Sequence, residues 1–341
     1  MSRSRTAQRF PAVAATIALL VVVRELIQYH VHGVPSWAAP SPEETVWHQA
    51  GHALASQGQR PPLAFMPGPV YVFFLAGIYR FAGESLPRVR FFQGLATLVV
   101  LWLFVRTMRA TIGTGAAASA ALIWGLCGTL LAHECQLSPA WLLAASTGLA
   151  LTLAAVATPS PRRLALSGFF LGFAVATWPP MIVAAATLAW ALRAPRVGRA
   201  ALVASSLVVP LTVALLCSPG VGVAPHRLTL DPGGPLAALT APGRQPLPDA
   251  ATPFRYLPGA RVVFLLGLLG LPLVRSGAPA AREALALVLG LAVAFVLVPP
   301  TGAARVALVP PLALLGGLGA ARLLGPKETA GPTVTAPRST T

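Results

Sequence analysis

Acidic side chains are scarce in this chain. Its 341 residues include nine aspartates and glutamates against 25 lysines and arginines, and charged residues of both signs make up only 10%. Soluble globular domains carry about 25% charged residues, so the composition excludes an ordinary soluble enzyme. With 55% hydrophobic residues and a mean hydropathy of +0.72, the sequence predicts an integral membrane protein.

Lysine and cysteine are also nearly absent. Lys327 is the only lysine, so the formal net charge of +16 comes almost wholly from arginine. The arginines fall mostly in gaps between apolar runs, as in cytoplasmic loops, and no nucleic-acid partner is expected. Three cysteines, Cys127, Cys135 and Cys217, fit neither a metal-ligand spacing nor a disulfide framework. We expect them to be buried apolar residues.

Apolar runs recur from end to end and predict an all-α, polytopic helical bundle with about ten transmembrane helices. The first run follows the basic start MSRSRTAQRF and is interpreted as an uncleaved span, because nothing after it resembles a soluble secreted domain. The run at 68–82 has a Gly-Pro start and Arg80 near its end, and it predicts a juxtamembrane helix rather than a crossing. The other runs are 91–105, 115–132, 139–157, 164–177, 180–192, 200–217, 261–275, 284–298 and 305–323.

The placement of basic residues supports this count. With ten crossings and a cytoplasmic N-terminus, every cytoplasmic segment is basic, as the positive-inside rule requires. The pattern predicts a multi-pass protein of the plasma (inner) membrane with both termini in the cytoplasm. The cytoplasmic basic residues are then Arg3, Arg5, Arg9, Arg106, Arg109, Arg162, Arg163, Arg193, Arg196, Arg199, Arg275, Arg282, Arg322, Lys327 and Arg338.

A single membrane-embedded domain over residues 1–323 is predicted. Residues 31–90 form a first extracytoplasmic loop with juxtamembrane helices, and the Pro- and Gly-rich residues 218–260 form a second long extracytoplasmic loop. The polar residues 324–341 are expected to be a disordered cytoplasmic tail. The sequence has no evident internal repeat.

The stretch SPEETVWHQAGHALASQG, residues 41–58, gathers charge in an apolar chain. Glu43 and Glu44 are adjacent, and His48 and His52 follow. A helix that begins at the Ser-Pro pair would favour acids in its first turn through the helix dipole. An acid at a membrane interface is also a functional hypothesis. The two histidines, one turn apart, could share a metal ion, but no third ligand is evident and no metal site is predicted.

Four segments in order resemble the C-type polytopic membrane glycosyltransferases, relatives of protein O-mannosyltransferases and aminoarabinose transferases. EETVWHQAGHALASQG is similar to their first outward loop, which reads roughly Asp-Glu-x-x-Tyr. PGPVYVFFLAGIYRFAGESLPRVR resembles their juxtamembrane helix, which ends in Phe-Gly-x-Ser and a following arginine. LSGFFLGFAVATWPP and GAARVALVPPLALLGGLGAARLL resemble later helices of the family. The resemblance covers about residues 10–323.

The chain departs from the family pattern at four places. Glu43 stands where aspartate is usual, and Trp47 replaces the tyrosine. Trp178 stands where a basic residue is common. Glu134 precedes by four residues the position of a frequent aspartate, here about Ser138. These departures concern activity rather than fold.

The resemblance implies transfer of a sugar from a polyprenyl-phosphate donor to an acceptor hydroxyl on the extracytoplasmic face, with inversion. The acceptor would be a lipid, a glycan or a protein. Glu43 matches the position of the catalytic base, and Glu44 would orient the loop or a sugar hydroxyl. The resemblance implies no certain cofactor and leaves a divalent cation open.

Transfer of a sugar from a phosphate-linked donor also requires groups that bind the phosphate and the substrate. Cations must neutralise the leaving phosphate, and guanidinium groups do so bidentately. The candidates are Arg88, Arg90 and Arg305, then Arg60, Arg255 and Arg261. Glu134, His52 and Tyr71 are candidate substrate contacts.

Two alternatives to an enzyme stay open. One is a non-catalytic relative that binds polyprenyl-phosphate lipid. The other is a secondary transporter, whose acids would lie near the bilayer midplane in two related halves.

Overall fold

The computed structural model describes residues 9–32, 42–61, 69–156, 158–217, 257, 259–275, 279–297 and 304–324. Most of the predicted loop at 218–260 and the predicted tail lie outside these residues. The described residues form α-helices and one 3₁₀ helix, with no β-strand among them, so the all-α prediction is confirmed for this part of the chain.

Among the described residues, seven helices precede residue 160: α1 Arg9–His32, α2 Pro42–Gln57, α3 Val70–Ala82, α4 Leu86–Ile112, α5 Thr114–Gly125, α6 Gly128–Glu134 and α7 Pro139–Ala154. Eight follow it: α8 Pro161–Thr177, α9 Met181–Ala191, α10 Arg196–Ser206, α11 Val208–Leu216, α12 Ala260–Leu268, α13 Leu271–Arg275, α14 Pro279–Leu297 and α15 Val309–Leu324. The 3₁₀ helix, Ala304–Leu308, lies directly before α15.

Local sequence explains many helix boundaries. Serine followed by proline begins both α7 and α8, where the hydroxyls of Ser138 and Ser160 accept hydrogen bonds from backbone amides of the first turn. Gly113 separates α4 from α5 with a φ of 86°, a backbone conformation that favours glycine. As predicted, α2 begins at the proline of the Ser-Pro pair and carries two acids in its first turn.

Fewer helices are long enough to cross a membrane than the sequence predicts. Five candidate spans pass by length and apolar composition, Val13–His30, Leu86–Ile112, Arg196–Leu216, Pro279–Val296 and Ala304–Leu323, and a sixth follows if α5 and α6, bent by 58°, form one span. The prediction of about ten is therefore wrong for the described residues. Helices α3, α7 and α9 are apolar but have only 13, 16 and 11 residues, whereas a span needs about 20. The chain thus has the helices of an α-helical membrane protein.

Small residues allow the helices to pack closely. A Cβ on Gly168 of α8 would lie 2.0 Å from the carbonyl oxygen of Leu202 in α10, and one on Gly317 of α15 would lie 2.6 Å from the carbonyl oxygen of Ala116 in α5. Glycine and alanine at helix interfaces permit such backbone approach in membrane bundles. The aromatic core includes Trp124, which packs edge-to-face on Phe104 with ring centroids 5.6 Å apart.

Helix α2 lies against α3, and together they cover one end of the bundle. The turn between α6 and α7, residues 135–138, lies at that same end and contacts both α2 and α4. We call this the acid end, because Glu44, Glu84 and Glu134 all lie there.

Candidate functional site

A carboxylate from α2 joins three elements at the acid end. The Oε1 atom of Glu44 accepts a hydrogen bond from the backbone N–H of Leu137 at 2.8 Å. The same oxygen lies 3.6 Å from Nη2 of Arg90, and both side chains are buried. We call Glu44, Arg90 and the Leu137 amide the acid–arginine cluster. It holds a negative and a positive group beside one another in an otherwise apolar bundle.

Glu43 lies in the first turn of α2, one residue before this cluster. Its side chain lies outside the described residues. Its backbone position nevertheless places this predicted base directly before Glu44, whose carboxylate lies beside Arg90. The helix dipole favours acidic residues in the first turn of a helix, where Glu43 lies.

A buried hydrogen-bond network supports the cluster from α3 and α4. The Tyr71 hydroxyl donates to Oε1 of Gln93 at 2.6 Å, and Nε2 of Gln93 donates to the carbonyl oxygens of Glu134 and Gln136 at 2.8 and 2.9 Å. Trp47 packs edge-to-face on Tyr71, with ring centroids 5.5 Å apart. The network fixes the turn that carries the Leu137 amide, because Gln93 spans two of its carbonyl groups.

An ion pair lies deeper in the bundle. Nη1 of Arg24 in α1 contacts Oε2 of Glu134, and Nη2 of Arg24 donates to the carbonyl oxygen of Gly125 at 3.3 Å. Both charged side chains are 2% exposed. Burial of this degree requires pairing, since an isolated charge in an apolar medium costs several kcal/mol or more.

The first loop has a second set of polar contacts, formed by His48, His52, Tyr79 and Glu84. Nδ1 of His52 lies 2.8 Å from one Glu84 oxygen, and Nε2 of His48 lies 3.2 Å from the other. His48 Nδ1 lies 2.8 Å from the Tyr79 hydroxyl. These contacts, which we call the first-loop clamp, tie α2 to the end of α3.

The direction of the hydrogen bonds in the clamp follows from Tyr79. Burial, assisted by the nearby Glu84 carboxylate, raises the pKa of the Tyr79 hydroxyl well above its usual value. The hydroxyl therefore keeps its proton and can donate it to Nδ1 of His48. The other ring nitrogen of His48 then carries the hydrogen that faces Glu84.

Arg80 and Arg88 both bind backbone carbonyl groups at helix ends. Nη2 and Nε of Arg80 donate to the carbonyls of Leu54 and Ala55 at 2.9 and 3.2 Å, at the C-terminal end of α2. Arg88 donates to the carbonyl of Ala82 at the end of α3. Arginines commonly satisfy the last carbonyl groups of a helix in this way.

The structure brings only part of the predicted site together. Glu44 and Arg90 are in contact, and Tyr71 and Glu134 are joined through Gln93. His52 lies in the clamp instead. Arg60, Arg88 and Arg261 are exposed, Arg305 is half-buried in the 3₁₀ helix, and Arg255 lies outside the described residues.

Several polar groups at the acid end were not predicted as site residues. Gln93 has a signal in the sequence, since it is the one amide side chain of α4 and stands in the apolar stretch FFQGLA. Glu84 follows Gly83 in AGES, a sequence typical of a turn, and it contacts both histidines. Arg24 has Glu25 beside it in the chain, and it forms an ion pair with Glu134 inside the bundle. Trp178, at the departure from the family pattern, packs on Phe295 with ring centroids 5.2 Å apart.

Two further predictions concern metal ions and cysteines. Within the described residues no group of three or more His, Cys, Asp or Glu side chains is arranged to hold a metal ion. His48 and His52 direct ring nitrogens to Glu84. The three cysteines are free and buried, as expected.

No protein-family model, curated protein or solved structure matches this chain.

Proposed function

We propose that this membrane protein is a glycosyltransferase that moves a sugar from a polyprenyl-phosphate donor to an acceptor hydroxyl on the extracytoplasmic face of the plasma membrane. The observation that supports this proposal is the acid–arginine cluster. It places Glu44 3.6 Å from Arg90 at one end of an apolar bundle, with Glu43 in the same helical turn. A reaction between a phosphate-linked sugar and a hydroxyl needs a carboxylate and a cation at such a boundary.

The two carboxylates take different roles in this proposal. Glu44 is already bound by the Leu137 amide and faces Arg90, so it positions the start of α2. Glu43 is the catalytic base, because it lies next to that anchored residue and matches the base position of the family that the sequence resembles. Tyr71 and Gln93 hold the turn beneath the cluster.

The reaction balances with one base and no covalent intermediate. The acceptor oxygen attacks the anomeric carbon, its proton passes to Glu43, and the bond from the anomeric carbon to the phosphate oxygen breaks. The bonding electrons leave with the polyprenyl phosphate, whose charge Arg90 helps to neutralise. Attack opposite the leaving group inverts the configuration of the sugar.

The distribution of acids supports a transferase over a secondary transporter. Glu44, Glu84 and Glu134 lie at one end of the bundle, whereas a transporter would place its acids near the midplane between two related halves. Of the described acids outside this group, Glu25 is exposed on α1, and Glu283 lies 3.6 Å from its neighbour Arg282 in the first turns of α14.

The test compares surface glycans and glycolipids by mass spectrometry in a host that lacks this gene. The host is complemented with wild type, with Glu43→Gln, or with the matched control Glu84→Gln, which removes an acid from the same loop but outside the acid–arginine cluster. Glutamine keeps the size and hydrogen bonding of glutamate but cannot take the proton. All three proteins are checked for equal abundance in the membrane.

We expect a hexose- or pentose-sized mass that is lost on deletion and restored by wild type and Glu84→Gln but not by Glu43→Gln. The lost mass would also identify the class of sugar. If Glu43→Gln restores the same glycans, Glu43 is not the base. If deletion changes no glycan, the transferase proposal is wrong and a non-catalytic lipid-binding protein becomes the better explanation.

A further inference from the structure

The chain has a long segment without any acid. No aspartate or glutamate occurs between Glu134 and Asp231, yet this segment contains the arginines of the α7–α8 and α9–α10 connections. Arg162, Arg163, Arg193 and Arg196 are exposed and Arg199 is half-exposed. None of the five forms an ion pair with another described residue. Within the described residues, this part of the protein therefore presents positive charge that no acid neutralises.

The arginine-rich surface lies at the other end of the bundle from the acid–arginine cluster. Helix α7 begins beside the Leu137 amide that Glu44 binds, and its 16 residues extend for about 24 Å. Helix α8 then begins at the far end of α7 and runs back in the opposite direction. Leu164 in its first turn lies against Gly198 of α10. The first turn of α10 is thus separated from Glu44 by the length of a helix.

A groove of about 320 Å³ opens on this surface between α9 and α10. Arg196, Arg199, Ala200 and Val203 line one wall, and their spacing of three and four residues puts them on a single face of α10. The other wall consists of Ala189 and Trp190 of α9. The groove is therefore cationic at the start of α10 and apolar one to two turns further on.

The position of the groove matches the boundary of a bilayer. Arg196 is the first residue of the candidate span Arg196–Leu216, so its guanidinium lies where that span enters the membrane. Trp190 is 83% exposed, and exposed tryptophan is typical of the headgroup level of membrane proteins. Val203 lies about 10 Å deeper along α10, where the hydrocarbon chains begin.

We propose that this groove binds an anionic phospholipid of the surrounding leaflet. The lipid phosphate lies between the guanidinium groups of Arg196 and Arg199, which bind phosphate oxygens bidentately. The first part of an acyl chain lies along Ala200 and Val203, and Trp190 covers the glycerol region. The charge of the groove selects an anionic over a zwitterionic lipid. This site is independent of the glycosyl-transfer proposal, since it lies at the opposite end of the bundle.

Native mass spectrometry of the full chain, released from detergent micelles, tests the site directly. Phosphatidylglycerol and phosphatidylcholine with identical acyl chains are titrated onto wild type, onto Arg196→Gln with Arg199→Gln, and onto the control Arg162→Gln with Arg163→Gln. The control removes the same charge from the same end of the bundle but not from the groove. Thermal unfolding of each variant checks that the fold is retained.

We expect wild type and the control to retain a preference for phosphatidylglycerol, and the groove variant to lose it. Each guanidinium group that contacts the lipid phosphate should contribute about a fivefold increase in affinity, so the affinity of the groove variant for phosphatidylglycerol should fall about 30-fold. Val203→Phe fills the apolar part of the groove without changing its charge, and it should also weaken binding.

Two results would overturn the proposal. Equal binding of both lipids by wild type would show that the groove does not select an anion. Equal losses in the groove variant and the control would show a diffuse attraction to the whole basic surface. If the double arginine variant unfolds, the Val203→Phe variant decides, since unaltered phosphatidylglycerol binding by that variant excludes the groove.

Discussion

Arg24 and Glu134 are 110 residues apart in the sequence and form an ion pair inside the helical bundle. The pair joins α1 to the end of α6, and Nη2 of Arg24 also binds the carbonyl oxygen of Gly125. A charge of either sign at this depth requires its partner, because the surrounding side chains are apolar. The pair therefore fixes the position of α1 against the bent α5–α6 segment.

Loss of either partner should destabilise the protein strongly. We expect Glu134→Met or Arg24→Met to cost about 3–5 kcal/mol, since each leaves a buried charge without its counter-charge. Replacement of both residues by methionine should recover most of this loss, because well-packed apolar residues often substitute for a buried ion pair. Thermal unfolding in detergent, followed by tryptophan fluorescence, measures the cycle. Additive losses in the double variant would show that the two residues do not act as a pair.

Glu44 should stabilise the acid end mainly through the Leu137 amide. We expect Glu44→Ala to cost about 1–3 kcal/mol, because it removes the acceptor of a buried N–H group. Glu44→Gln keeps an acceptor for that N–H and should cost less. The exposed Glu25 provides the matched control, with a change within about 0.5 kcal/mol for Glu25→Ala. If Glu44→Gln and Glu44→Ala lose the same free energy of unfolding, the stabilisation comes from the ion pair with Arg90 and not from the Leu137 amide.

The first-loop clamp should affect local mobility more than global stability. Glu84 is 41% exposed, and exposed ion pairs contribute only about 0–1 kcal/mol. We therefore expect Glu84→Gln to leave thermal unfolding almost unchanged while amide exchange in α2 becomes faster. Hydrogen–deuterium exchange measures this, with α5 as the internal reference. Unchanged exchange in α2 would show that the histidine contacts do not hold the helix.

Close approach of α8 and α10 should make Gly168 intolerant of a side chain. A Cβ at this position lies 2.0 Å from the Leu202 carbonyl oxygen, so Gly168→Ala must displace backbone and should cost about 1–3 kcal/mol. Gly77 in the interior of α3 has nothing within 4 Å of its Cβ position. Gly77→Ala should therefore gain up to about 1 kcal/mol from helix propensity. Measurement of the unfolding temperatures of both variants tests the close contact between α8 and α10. Equal changes in unfolding temperature for the two variants would contradict that contact.

Many of the helices could be predicted from the sequence because their signals are local. The Ser-Pro starts of α2, α7 and α8 and the glycine after α4 mark boundaries within a few residues. The number of membrane spans was not predictable in the same way. An apolar run such as 180–192 indicates a possible crossing. The helix within it has only 11 residues, because Pro179 and Pro180 precede it and Arg193 and Pro195 follow its end.

Part of the candidate site was also predictable. Scarcity of acids directs attention to Glu43 and Glu44, and adjacency in sequence places both in one helical turn. The contacts of Glu44 with Arg90 and with the Leu137 amide join segments that are 46 and 93 residues away. His52, a predicted substrate contact, lies 2.8 Å from Glu84. The sequence neighbours of Glu84 identify it only as part of a turn, so this contact was not predictable.

The sequence by itself determined the class of the protein, since composition sets the balance between apolar and charged surface, and hydrogen bonds within each helix depend on residues three or four positions apart. Only the tertiary structure decided which scarce charges meet. Arg24 has Glu25 beside it in the chain, yet it pairs with Glu134. Adjacent residues on a helix point in different directions, and the packing of α1 against α5 turns Arg24 toward the carboxylate at the end of α6.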